Sequence, residues 1–118
     1  VFATWKKDMR ELATLPNVYV KVGGLGMHSC GFGFHEQPRP PSSEQLAQAW
    51  RPYVETTIEL FGANRCMFES NFPVDKVSCS YLVLWNSLKR LSAHASPDEK
   101  AALMHGTATR VYRLELDA

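Results

Sequence analysis

Only two stretches of this chain read as β-strand, residues 18–22 and 65–69, and a long amphipathic helical stretch separates them. That order constrains the fold more than any other feature. Val18, Tyr19, Val20 and Val22 surround Lys21 before Gly23-Gly24 closes the first run. Apolar residues at four of these five positions predict a strand covered on both faces, as in a parallel sheet flanked by helices. Two strands joined through a helix call for a right-handed parallel crossover. Parallel sheets normally have several members, so two strands are a poor sheet by themselves. The expected architecture is therefore α/β, and only a slice of it.

The helices are legible from apolar spacing. Phe2, Trp5, Met9 and Leu12 recur at helical intervals, with Lys6, Lys7, Arg10 and Glu11 between them, and Pro16-Asn17 ends the run. The chain thus opens inside a helix, which predicts a truncated start. Residues 23–41, rich in glycine and then in proline (Pro38, Pro40, Pro41), form a loop of a length usually reserved for function or movement. Ser42 and Gln45 have the spacing of a capping box. Leu46, Ala49, Trp50, Tyr53, Val54, Thr57, Ile58 and Phe61 then form a stripe, with Pro52 expected to kink the helix and Gly62 to stop it. Tyr81, Leu84, Trp85, Leu88 and Leu91 mark a third helix, and Ser96-Pro97-Asp98-Glu99 starts the last. No repeat or low-complexity tract is present.

Composition excludes several classes. The 118 residues are 45% apolar and 21% charged, an ordinary globular balance that one modest core can satisfy. A formal net charge of +1 gives no reason to expect nucleic acid or an anionic membrane as partner. No apolar run approaches the roughly 20 residues needed to span a bilayer, and no secretory leader is recognisable at the start. Cys30, Cys66 and Cys79 are an odd count without C-x-x-C spacing, which points to reduced thiols in a cytoplasmic protein. Phosphate-loop and Gly-x-Ser-x-Gly signatures are absent as well.

The second strand and its exit carry a family likeness. Arg65-Cys66-Met67-Phe68-Glu69-Ser70-Asn71-Phe72-Pro73 resembles the last barrel strand of the amidohydrolase-related family, where Gly-Ser-Asp-Trp-Pro is the usual exit. Leu15-Pro16-Asn17-Val18-Tyr19-Val20-Lys21-Val22-Gly23-Gly24 is similar to the strand before it. Residues 107–114 (Thr107-Ala108-Thr109-Arg110-Val111-Tyr112-Arg113-Leu114) resemble the terminal helix. The likeness covers nearly the whole chain in order. It implies that residues 1–118 are one partial domain, the last two parallel strands of a (β/α)8 TIM barrel with flanking and C-terminal helices. In such a barrel the site lies at the C-terminal ends of the strands. The resemblance further implies a hydrolase acting on a lactone, an amide or a related bond of a small molecule, with a divalent metal (zinc or manganese) activating water. The metal-binding histidines of the family would lie upstream of Val1, so no metal ligand is assigned in this chain.

Asn71 and Glu69 are the candidate catalytic residues. Asn71 stands where the family has aspartate; its carboxamide can offer an oxygen but is no general base. Its alternative role is to shape the turn. Glu69 replaces the family's glycine and falls on the same side of the strand as Asn71; it is either a site carboxylate or a structural ion-pair partner. Ser70, Asp75, His28 and His35 are candidate substrate contacts. Asp75 is equally suited to cap the next helix, and the two histidines equally suited to be surface residues. His94 and His105 are read as structural. One rival reading is a non-enzymatic or decayed module that self-associates or pairs with the missing barrel portion; another is a barrel without metal. The open strand edges favour association in either case.

Overall fold

The computed structural model describes residues 1–115, with the side chain of His28 left aside. Its elements are α1 (Phe2–Ala13), β1 (Val20–Val22), α2 (Ser43–Phe61), β2 (Cys66–Phe68), α3 (Tyr81–Leu91), α4 (Pro97–Ala101) and α5 (Thr107–Val111), with one π turn at Ala102–Gly106. The two strands pair in parallel, Val20 beside Cys66 and Val22 beside Phe68. The expected α/β order and strand direction are present. Both strands are shorter than the sequence runs because Val18 and Tyr19 precede the paired register and Arg65 belongs to a 3-10 turn.

By its contacts the chain divides into two compact units. The first holds Val1–Val22, Tyr53–Phe68 and the described chain from Ala95 to Glu115. Here β2 is buried at all three positions, as a strand covered on both faces should be. β1 is less covered: Tyr19 before it is 42% exposed and Lys21 within it faces outward. Arg65 ties this unit together. Its guanidinium donates to the Phe61, Leu15 and Ala13 carbonyls at 3.0, 2.9 and 2.9 Å and stacks over the Phe61 ring. The stripe of α1 meets Tyr53 edge-on through Phe2 and Trp5, yet no residue of α1 is fully buried and Leu12 remains 45% exposed.

The last helix begins as its sequence requires. The Ser96 hydroxyl accepts from Glu99 N, and the Glu99 carboxylate accepts from Ser96 N, with Pro97 at the first helical position. The π turn then interrupts it and packs against β2. This interruption is invisible in the sequence pattern. Thr107, fully buried just after it, donates its hydroxyl to the Ala63 carbonyl at 2.9 Å.

The second unit holds Gly23–Pro52 and Glu69–His94. The Ser42–Gln45 capping box opens α2, with Gln45 N donating to Ser42 Oγ at 3.1 Å and Ser42 N to Gln45 Oε1 at 2.8 Å. Leu46, Ala47 and Trp50 of α2 and Leu84, Leu88 and Leu91 of α3 are buried. Ala47 was outside the predicted stripe, and Ala49 is only half-buried. Tyr81 lies 55% exposed rather than in the core. The helix α2 runs through Pro52, which is exposed. Gly62 ends it with a φ of +82°, a conformation open mainly to glycine. Among the described residues no helix is long and apolar enough to cross a membrane.

Candidate active site

The two strands end at Val22 and Phe68, and the residues that follow each of them come together within the second unit. Gly23 lies directly against Glu69: a side chain there would run into the Glu69 Cγ and carbonyl. Glycine at this point is what makes room for a glutamate at the neighbouring strand end. Gly24 follows with a φ of +74°, and any Cβ it carried would stand 2.8 Å from the Asn71 side-chain nitrogen. The two glycines thus let the first exit loop press against the second.

Asn71 and Asp75 close the second exit loop on itself. Asn71 N donates to Asp75 Oδ2 at 2.7 Å, and Asp75 N donates back to the Asn71 carbonyl at 3.1 Å. The Asn71 side-chain amide donates to the Met27 sulfur at 2.9 Å, and the Ser78 hydroxyl donates to the Gly26 carbonyl at 2.5 Å. These bonds clamp residues 24–27 onto residues 71–78. Asp75 is fully buried, and its Oδ1 has no hydrogen-bond partner among the described residues.

The sequence-predicted residues therefore fall into two groups. Glu69, Ser70, Asn71 and Asp75 stand together at the exit of β2. Glu69 and Asn71 both lie beyond the last paired residue, so strand alternation no longer governs which way they point, and each is half-buried. The capping role weighed for Asp75 is corrected: Ser80 caps α3 by accepting from Val83 N at 3.2 Å, while Asp75 sits inside a 3-10 turn at Val74–Val77. His35 lies in a separate 3-10 turn at Phe34–Glu36, its Nε2 3.6 Å from the Glu36 carboxylate. The His28 side chain lies outside the described residues. His94 and His105 are exposed. What sequence reasoning missed is the bracing of Asn71 by Met27 and of Gly26 by Ser78, contacts spanning 44 and 52 residues that no local pattern encodes.

The donor set does not make a metal site by itself. Among the described residues no three His, Cys, Asp or Glu side chains stand close enough to share an ion. Asp75 Oδ1 is a single spare oxygen, whereas a catalytic zinc draws on about three protein ligands.

Two thiols are buried near these elements. Burial pushes Cys66 up to about 12 against the pull of the Arg65 cation, and burial aided by the Asp75 carboxylate pushes Cys79 up to about 11. Both stay neutral in the folded chain while an unfolded thiol ionises near 9. The unfolded state then holds fewer protons, so the stabilisation is complete below pH 9 and is lost between 9 and the folded values. Unfolding free energy should fall by about 1.4 kcal/mol per pH unit per thiol in that window. Urea midpoints of the protein and of a Cys66→Ala, Cys79→Ala double variant across this range check it; parallel slopes would refute the assignment.

With this geometry in view, comparison with known proteins identifies the class. The amidohydrolase family profile matches residues 1–114, and the chain belongs to that family. It is 42% identical over 113 residues to the uncharacterised protein y4mH of Sinorhizobium fredii, covering 96% of this chain and 34% of that protein. It is 31% identical to an L-fucono-1,5-lactonase of Burkholderia multivorans, covering 95% of this chain and 36% of the lactonase. Its fold matches a crystal structure of a Burkholderia multivorans amidohydrolase with bound zinc at a TM-score of 0.78 and 30% identity, covering 97% of this chain and 38% of that one. The same comparison holds for a second crystal form with bound HEPES. The chain therefore spans about a third of the length of the curated relatives it matches.

Proposed function

We propose that this chain supplies the last two strands and the outer helices of a (β/α)8 barrel hydrolase, forming one wall of its active site. The observation that carries the reading is the parallel pair whose two exit loops are clamped together, because catalytic residues of such barrels sit on the loops that follow the strands. Zinc seen in a structural relative and the lactonase name of a sequence relative support metal-dependent hydrolysis of a small-molecule lactone. A divalent metal, zinc or manganese, held by polypeptide beyond these residues would supply an activated water.

This chain's residues orient the substrate. Glu69 and Asn71 face the reacting group, Asn71 as a neutral hydrogen-bonding group in place of a proton acceptor. Ser70 and His35 flank it. Asp75, being fully buried, acts by holding Asn71 rather than by meeting substrate directly. The remaining barrel strands cover β1, Leu12 and Leu15, the last 49% exposed.

The test is hydrolysis of L-fucono-1,5-lactone and of a simple aliphatic lactone by the natural-length protein, with metal content measured alongside. Zinc- or manganese-dependent turnover that falls about tenfold or more in Asn71→Ala is expected. Turnover of neither lactone with either metal would sink the reading. Self-association of a non-enzymatic module would then account for the exposed strand edges, and sedimentation would show a concentration-dependent oligomer.

A further inference from the structure

Directly after Asp75 the chain enters the wall of a cavity of about 460 Å³ in the second unit, a volume suited to a small organic ligand. Phe34, Val77 and Val83 give it apolar sides, and the buried Cys79 thiol contributes to its lining. Its charged lining consists of Lys76, with His35 nearby as a titratable group, and no carboxylate lines it. The Lys76 ammonium has no carboxylate or hydrogen-bond partner among the described residues. A neighbouring cleft of about 330 Å³ shares Phe34 and Gln37 with the first and adds Arg39, again without an acidic residue. Glu36, whose carboxylate stands 3.6 Å from His35, lines neither.

We infer that this cavity is a binding subsite for a small carboxylate with an apolar ring, the ring between Phe34, Val77 and Val83 and the carboxylate on Lys76. The chemistry follows from the lining. Apolar walls reward burial of a hydrocarbon body. A lysine without a partner gains a charge-assisted hydrogen bond only when an anion arrives. A neutral Cys79 thiol adds no repulsion, since burial holds it un-ionised at ordinary pH. The binding stands on the cavity alone. Its consequence, that the hydrolysed substrate itself carries a carboxylate, rests on the hydrolase reading above.

Phenylacetate and its neutral isostere phenylacetamide are suitable probes, titrated calorimetrically into the natural-length protein. Saturable phenylacetate binding is expected, weakened about tenfold by Lys76→Gln with phenylacetamide unaffected. Val83→Trp, which fills the cavity, should abolish binding of both. Lys76 is exposed, so its replacement does not threaten the fold. Absence of saturable phenylacetate binding, or binding indifferent to Lys76→Gln and Val83→Trp, overturns the inference. Lactone turnover read in parallel keeps the two claims apart. Lys76-dependent binding without turnover would sink the hydrolase reading alone, and turnover without such binding would sink the subsite alone.

Discussion

Arg65→Ala should lower the unfolding free energy by about 3 kcal/mol, the largest loss expected from any single surface-reaching side chain of the chain. Arg65 donates to three carbonyls within 3.0 Å, those of Phe61, Leu15 and Ala13, and approaches the Val18 carbonyl at 3.5 Å. These belong to three different places: the end of α2, the end of α1, and the segment that leads into β1. Hydrogen bonds from a charged donor are each worth about 1.5–3 kcal/mol, but Leu15 is half-exposed and water can take over part of its share. The aromatic face of Phe61, 5.1 Å from the guanidinium, adds a further contact that alanine forfeits. Lysine does not substitute well. Its single nitrogen cannot reach three carbonyls set around a planar fork, so Arg65→Lys should recover less than half of the loss. Urea unfolding of the two variants measures this. Stabilities within about 0.5 kcal/mol of the parent would show that the carbonyls are served equally well by water.

Asp75→Ala should cost about 2–3 kcal/mol and, on the proposed hydrolase reading, about a hundredfold in kcat/KM of the natural-length protein. The stability loss comes from removing a buried charge-assisted acceptor and leaving the Asn71 N–H without it. The larger effect is on geometry. Asn71 N is anchored to Asp75 Oδ2 while its side chain is anchored to Met27, so the residue is held from both ends. Release of one end lets the carboxamide wander, and misplacement by about 1 Å is enough for a hundredfold loss. Asp75→Asn keeps an acceptor of the same shape and should restore most of the stability.

A purely structural role would end there, but Cys79 provides an independent readout. The Asp75 carboxylate helps to push its thiol up to about 11, so both variants should bring that value down and speed alkylation of Cys79 above pH 9. Cys66, raised by burial and lowered only by Arg65, should alkylate no faster in either Asp75 variant. Equal alkylation of Cys79 in parent and Asp75→Asn would refute the electrostatic link, and unchanged kcat/KM in Asp75→Ala would refute the positioning role.

The same contrast between near and distant partners explains what could be read in advance. Helix starts were legible because Ser42 with Gln45, and Ser96 with Glu99, satisfy each other's backbone across three residues, a relation that spacing displays directly. Gly62 announced the end of α2 because few other residues adopt its φ of +82°. The strand run 18–22 was legible, but its paired length was not. Pairing is settled by the partner strand, and only Val20–Val22 find neighbours there. The π turn at Ala102–Gly106 left no trace in a pattern that reads as one continuous helix.

At the candidate site the motif 69–75 marked a stretch that does follow the second strand and closes on itself through Asn71 and Asp75, since the residue types that follow a strand depend on local chemistry. What Asp75 does there was open between capping and contact. The tertiary structure gave the cap to Ser80 and set the Asp75 carboxylate against Asn71 N, because a side chain with 0% exposure answers to whatever surrounds it in space. The amino-acid order by itself determined the order of helices and strands, the capping boxes of α2 and α4 and the parallel direction of the strands, all consequences of short-range sterics and of a helical crossover. Only the folded chain decided that Gly23 makes way for Glu69, that Met27 braces Asn71 and that Arg65 joins three segments. Those contacts bridge tens of residues, and their partners are selected by packing in three dimensions rather than by proximity along the chain.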